Sequence, residues 1–257
     1  MPADNTIGPP LNILPDTFWD VFVPYGAVHL ATVAVCVLVI AALAFAGHAL
    51  RKRGELRLRH ALGIFGLVYW LSYNVWWNRH GVDFIGGLPL QICDINGVIA
   101  PLVLLTQQRW LRATLYYWAF ALSTQAFIQP ALQAGPARPI FYWFWAQHTI
   151  ILAYAVYDLV VLQFRPQWRD LMRCYAVGAL YLAVVVPLNF LLGSNYGFLG
   201  NWPAQAIPPF VAALGPWPAR AVILVLLSSA ACALAQLPWL VVRRVRLQQR
   251  CAAAQDR

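Results

Sequence analysis

The chain has 257 residues, 61% of them hydrophobic and 11% charged, with a mean hydropathy of +0.61. Soluble domains carry about a quarter charged residues, so a soluble globular fold is excluded and an all-α polytopic membrane protein is expected. The formal net charge of +9 does not point to nucleic acid, because the basic residues gather in clusters between apolar runs, as membrane topology requires.

A span needs about 20 mostly apolar residues. In chain order, spans are expected near 24–47, 61–77, 88–106, 113–130, 140–163, 174–193 and 219–242. They predict a single bundle of seven transmembrane helices, preceded by segment 1–23 and followed by a basic tail, 243–257. Segment 16–22 reads as a short interfacial turn or, more simply, as part of an aromatic belt with Phe18, Trp19 and Tyr25. No Lys or Arg precedes Arg51, so no cleavable secretory signal is expected. Pro101 and Pro187 fall inside the third and sixth spans and should kink them.

Orientation follows from the basic residues. Arg51, Lys52, Arg53, Arg57 and Arg59, then Arg109 and Arg112, then Arg165, Arg169 and Arg173, then the tail, fall on one side. Only Arg79, Arg138 and Arg220 fall on the other. The rich side is cytoplasmic, which puts the C-terminus inside, the N-terminus outside, and the protein in the plasma (inner) membrane.

Polar residues in spans are costly and so draw attention. Cys93 stands at the start of the third span, followed by Asp94 and Asn96. At about 1.5 Å per residue, Cys93 lies roughly 7 Å below the outer rim, His148 roughly 12 Å, and Asn189 within roughly 6 Å. His29, Asn74 with Asn78, and Gln125 with Gln129 belong to the same outer half. Asp158, nearer the inner side, is expected to pair with a loop arginine or cap a helix.

Two readings of this clustering stand open. Amides and imidazoles glue helices together in membrane bundles. Alternatively, Cys93 and His148 form a nucleophile and base, the thiolate attacking once the imidazole has taken its proton. Asn189 or Gln125 would then orient the base or donate to an oxyanion. That reading expects the sulfur and a ring nitrogen within about 3 to 5 Å. It adds Asn74, Asn96, Gln125, Asn189, Asn195 and Tyr196 as candidate substrate-binding residues. Segment 194–218, rich in proline and aromatics, is expected to fold over the outer mouth with Asn195 or Tyr196 turned inward. The five cysteines show no metal-type spacing, so no metal, no cofactor and no disulfide framework is expected. The partners expected are membrane lipids; oligomeric state is not legible.

Several stretches carry a family likeness. They are Leu88-Pro89-Leu90-Gln91-Ile92-Cys93, Trp145-Ala146-Gln147-His148, Arg165-Pro166, Asn195-Tyr196-Gly197-Phe198-Leu199 and Leu214-Gly215-Pro216-Trp217-Pro218. With them the chain resembles the YwaF-type integral membrane proteins, from about the second span to the seventh. Through these it is distantly similar to a vertebrate transmembrane family of cysteine-centred phospholipid acyltransferases. It departs from the pattern at Trp202-Pro203, where Lys-Pro is expected, and at Ala131 after Pro130. The resemblance implies that Cys93 accepts an acyl group and His148 is its base. A transporter, a small-ligand receptor or an accessory protein with an outer polar pocket is the alternative.

The topology has a direct check. A reporter fused after Arg246 should read out as cytoplasmic; a periplasmic readout would overturn the depths given above.

Overall fold

A computed structural model describes residues 19–255, with side chains to Arg243; residues 16–18 of the expected interfacial turn lie outside the described residues. Within them the chain is helical, and Val21 and Ala134 make an isolated bridge. In chain order the helices are α1 (Ala27–Ala49), α2 (Glu55–Trp77), α3 (Ile92–Thr106), α4 (Arg109–Tyr117), α5 (Gln125–Ile128), α6 (Pro139–Val160), α7 (Trp168–Leu192), α8 (Pro209–Ala212) and α9 (Ala219–Gln255). Long helical stretches therefore stand at each of the seven expected places. Three of them, Ala27–Ala49, Trp168–Leu192 and Ala219–Arg243, are long and apolar enough to cross a membrane by length and composition, and Ile92–Thr106 is a shorter apolar helix.

Burial sorts the helices into an inner and an outer set. Ile99, Ala100, Val103 and Leu104 of α3 meet Ile151, Ala153, Tyr154 and Tyr157 of α6 in one core. The faces of α4 divide between two cores. Leu111, Leu115 and the following Ala119 join the α3–α6 core. Ala113, Tyr116 and Tyr117 join a second core with Cys174, Tyr181 and Val185 of α7 and Cys232 of α9. In contrast, α1, α7 and α9 turn large apolar side chains outward, among them Leu38, Phe45, Phe190, Leu191, Leu226 and Leu234. Exposed apolar surface on this scale suits a lipid solvent and not water.

Several boundaries differ from the expected helices: α2 and α7 begin earlier, at Glu55 and Trp168, and α3 begins later, at Ile92. The fourth is not one α-helix: α4 passes into a π-helical turn, Trp118–Ser123, before α5. The last does not stop at 242 but runs on to Gln255, so most of the basic tail continues α9. No glycine or proline interrupts 243–255, and Ala, Arg, Leu and Gln are good helix formers.

At the end of the bundle remote from Cys93, charges are paired. Arg112 Nε donates to Asp158 Oδ2 at 3.0 Å, and its Nη2 lies within ion-pair distance of Oδ1 at 2.8 Å. Asp158 thus takes the pairing role expected of it. Arg109 grips Asp170 with two hydrogen bonds, at 3.0 and 2.7 Å, and Arg173 adds a contact of 2.6 Å. The Phe164 ring lies 5.5 and 4.7 Å from the Arg109 and Arg112 guanidinium carbons. Such forked pairs fix geometry as well as charge.

Close helix approach depends on small residues. A Cβ at Gly66 of α2 would lie 2.9 Å from Tyr154 Cε2 and 3.0 Å from Pro101 Cβ. Gly66→Leu should therefore force α2 away from α3 and α6 and cost about 1–3 kcal/mol by overpacking. Gly178→Ala, where an added Cβ meets nothing within 4 Å, is the control. Thermal unfolding in detergent should show a lowered Tm for the first variant only; a normal Tm for Gly66→Leu would contradict this packing.

Candidate functional site

The chain enters α3 through an extended stretch that is held from outside the helix. Tyr196 OH accepts from the Leu88 amide at 3.1 Å and donates to the Phe84 carbonyl at 3.0 Å. Tyr181 OH donates to the Leu90 carbonyl at 3.0 Å. The Gly197 amide donates to Gln91 Oε1 at 2.8 Å. Gly197 has φ 66°, and an added Cβ would come within 2.5 Å of Tyr181 OH, so only glycine fits there. These bonds fix the backbone just before Cys93.

Cys93 lies in the first turn of α3, half-buried. Its Sγ is 3.8 Å from Ser123 Oγ. The same oxygen accepts from Asn96 Nδ2 at 3.2 Å. Asn96 and Ser123 are fully buried, and Asn96 Oδ1 has no hydrogen-bond partner. Ser123 closes the π-helical turn. Such turns carry an extra residue and recur at functional sites; here one delivers a hydroxyl to α3.

The neighbouring polar groups brace the backbone. Gln147 Nε2 donates to the Cys93 carbonyl at 3.1 Å and to Asp94 Oδ1 at 3.0 Å. Trp70 Nε1 donates to the Asp94 carbonyl at 2.8 Å. Helices α2, α3 and α6 are thereby tied together at the level of the thiol.

His148 follows Gln147 on α6 and is 6% exposed. Its Nδ1 is 2.7 Å from the Phe144 carbonyl oxygen. A carbonyl only accepts, so this network places the proton on Nδ1 and leaves the Nε2 lone pair open. The Phe144 ring covers the imidazole at a centroid distance of 4.3 Å. No hydrogen bond joins His148 to Cys93 among the described residues; the thiol pairs with Ser123 instead. His29 differs, since Nδ1 accepts from the Tyr25 amide at 2.9 Å and Nε2 then donates to the Phe127 carbonyl at 3.1 Å. Both of its nitrogens are committed to structure.

The other expected site residues divide. Asn96 joins Cys93. Asn74 turns its amide to the Trp70 carbonyl of its own helix at 2.8 Å, and Gln125 is exposed on the one-turn α5. Asn189 is spent on the following loop: Nδ2 donates to the Tyr196 carbonyl at 2.9 Å, and Oδ1 accepts from Ser194 Oγ and the Tyr196 amide, both at 2.8 Å. Asn195 Oδ1 accepts from the Gly200 amide at 2.9 Å. Tyr196 is fully buried, and burial pushes its phenol up in pKa, so it serves as a neutral donor and acceptor. Asn189, Asn195 and Tyr196 thus shape the approach to Cys93. Ser123 is the residue that sequence reasoning missed. Its signal was a hydroxyl directly after the apolar run Trp118–Leu122, but hydroxyls in helices are common and usually bond their own backbone. Among the described residues no group of three or more His, Cys, Asp or Glu side chains could hold a metal ion.

Apolar outward faces and a braced polar cluster inside define an all-helical protein of membrane type. The model of the TMEM164 family matches residues 24–236, and the chain belongs to that family. It is similar to an uncharacterised protein of Treponema pallidum (strain Nichols), 28% identical over 196 residues that cover 72% of this chain and 78% of the relative. No solved structure matches.

Proposed function

We propose that this TMEM164-family protein spans the plasma membrane seven times, N-terminus outside and C-terminus in the cytoplasm. We further propose that it moves acyl chains between membrane lipids through a thioester on Cys93. The observation that supports this reading best is the Cys93–Ser123–Asn96 cluster, with its unpartnered Asn96 oxygen. Buried polar atoms seldom go unpaired, and a polar group of a bound lipid would pair this one.

In this reading the open Nε2 of His148 takes the Cys93 proton, directly or through one water. The thiolate attacks the ester carbonyl carbon of a donor lipid. The bond from that carbon to the glycerol oxygen breaks, and the lysolipid leaves with the proton from His148. An acceptor hydroxyl then gives its proton to His148 and attacks the thioester, which restores the thiol. Ser123 Oγ accepts from Asn96, so its own hydrogen is free to point at the oxyanion. This assigns to Ser123 the part that the sequence suggested for Asn189 or Gln125. Phe144 and Phe127 flank His148 and would limit access by bulk water.

One observation favours a second, non-enzymatic reading. Gln147 spends its amide on α3, which is what helix glue does, and the thiol and imidazole are not bonded. A transporter, receptor or accessory protein would need nothing more. Labelling separates the two. A long-chain acyl-mimetic electrophile in native membranes should modify Cys93 ahead of Cys36 and Cys232. His148→Ala should slow that labelling by about a hundredfold or more, as loss of a general base does. Equal labelling of the three thiols, or indifference to His148, would leave only the second reading.

A further inference from the structure

Arg220 is 2% exposed, yet no carboxylate lies within ion-pair distance of it among the described residues. The contrast is with Arg109 and Arg112, which each hold an aspartate. Arg220 Nη2 donates to the carbonyls of Gly200 and Trp202, both at 3.1 Å. Its Nε is buried without a partner, and Nη1 makes no hydrogen bond to the described residues. A guanidinium does not shed its proton to escape burial. Two carbonyl dipoles satisfy two hydrogens but do not cancel a charge. A buried cation calls for an anion.

The position narrows the anion. Gly200 and Trp202 continue the loop whose Tyr196 and Gly197 hold Leu88 and Gln91, directly before Cys93. Trp217 Nε1 donates to the Leu199 carbonyl at 3.1 Å and ties the same loop to the start of α9. Arg220 therefore belongs to the Cys93 end of the bundle. The planar donor fork of arginine suits phosphate oxygens.

We propose that Arg220 is a recognition point for a phosphate oxyanion at this end of the molecule. The inference rests on the acyl-transfer reading in one respect: a glycerophospholipid is the substrate that would bring its phosphate and its ester to the same end. The oxyanion is then a headgroup diester or free phosphate, and Arg220 acts by holding it while Cys93 meets the acyl ester.

The test is a binding measurement on the full-length Cys93→Ser chain in detergent, so that acyl transfer makes no contribution. Failure of phosphate recognition is then distinguishable from failure of the thiol chemistry. Three probes are compared by thermal unfolding and titration: dioctanoylphosphatidylglycerol, dioctanoylglycerol, which lacks the phosphate, and inorganic phosphate. The phospholipid should raise Tm and bind roughly tenfold or more tightly than dioctanoylglycerol, the scale of a charged hydrogen bond. Arg220→Gln should abolish that preference, and Arg220→Lys should keep part of it. If inorganic phosphate stabilises as well as the phospholipid, the source is free phosphate bound at Arg220; if it does nothing, the source is the headgroup. Equal binding of the two lipids by the Arg220 chain would overturn the proposal, as would an undiminished preference in Arg220→Gln. Should Arg220→Gln not fold, the two-lipid comparison and Arg220→Lys decide the matter.

Discussion

Polar groups inside an apolar bundle have no water to fall back on, and the first turn of α3 is where this constraint concentrates. Gln147 reaches across from α6 to hold the Cys93 carbonyl and the Asp94 carboxylate, while Trp70 reaches from α2 to the Asp94 carbonyl. Buried side-chain donors must find acceptors, and here the Gln147 amide and the Trp70 indole find them in first-turn carbonyls of α3, whose oxygens have a second lone pair to offer. The consequence is positional. Once α2, α3 and α6 are tied at this level, the Cys93 thiol has little freedom, and the π-helical turn after α4 completes its surroundings with Ser123. Gly66 lets α2 approach closely enough for these bonds to form.

The loop after α7 extends the same logic outward. Its backbone groups are satisfied by Asn189 and Asn195, and its aromatic Tyr196 pins the stretch before α3. The approach to Cys93 is therefore built from side chains that look, in the sequence, like ligand-binding residues. They are engaged in holding backbone. What remains open is smaller: the Asn96 oxygen, Nε2 of His148, and Nε of Arg220.

Long apolar runs made the helices legible, because a helix that satisfies its own backbone needs only length and hydropathy. The burial difference between α6 and α7 was less so, since both runs are apolar and only packing decides which faces lipid. The π-helical turn left no trace in periodicity, and with it Ser123 went unseen. The site was half legible. Cys93 and Asn96 stood out as polar residues in an apolar helix; Asn189 stood out for the same reason but bonds its own loop, and Gln125 lies exposed on α5. Sequence gives the depth of such a residue along its helix, but its partner depends on rotation about the helix axis. His148 illustrates the limit: adjacent to Gln147, which touches α3, it bonds instead to a carbonyl of its own helix.

The central claim is that Cys93 carries an acyl group. The most direct measurement is the mass of the intact protein purified from native membranes, before and after neutral hydroxylamine, which cleaves thioesters. The account predicts a fraction heavier by one fatty acyl chain, mapped to Cys93, removed by hydroxylamine and absent from Cys93→Ser. Protein at its unmodified mass even after incubation with membrane phospholipid, or an adduct that survives Cys93→Ser, would contradict it.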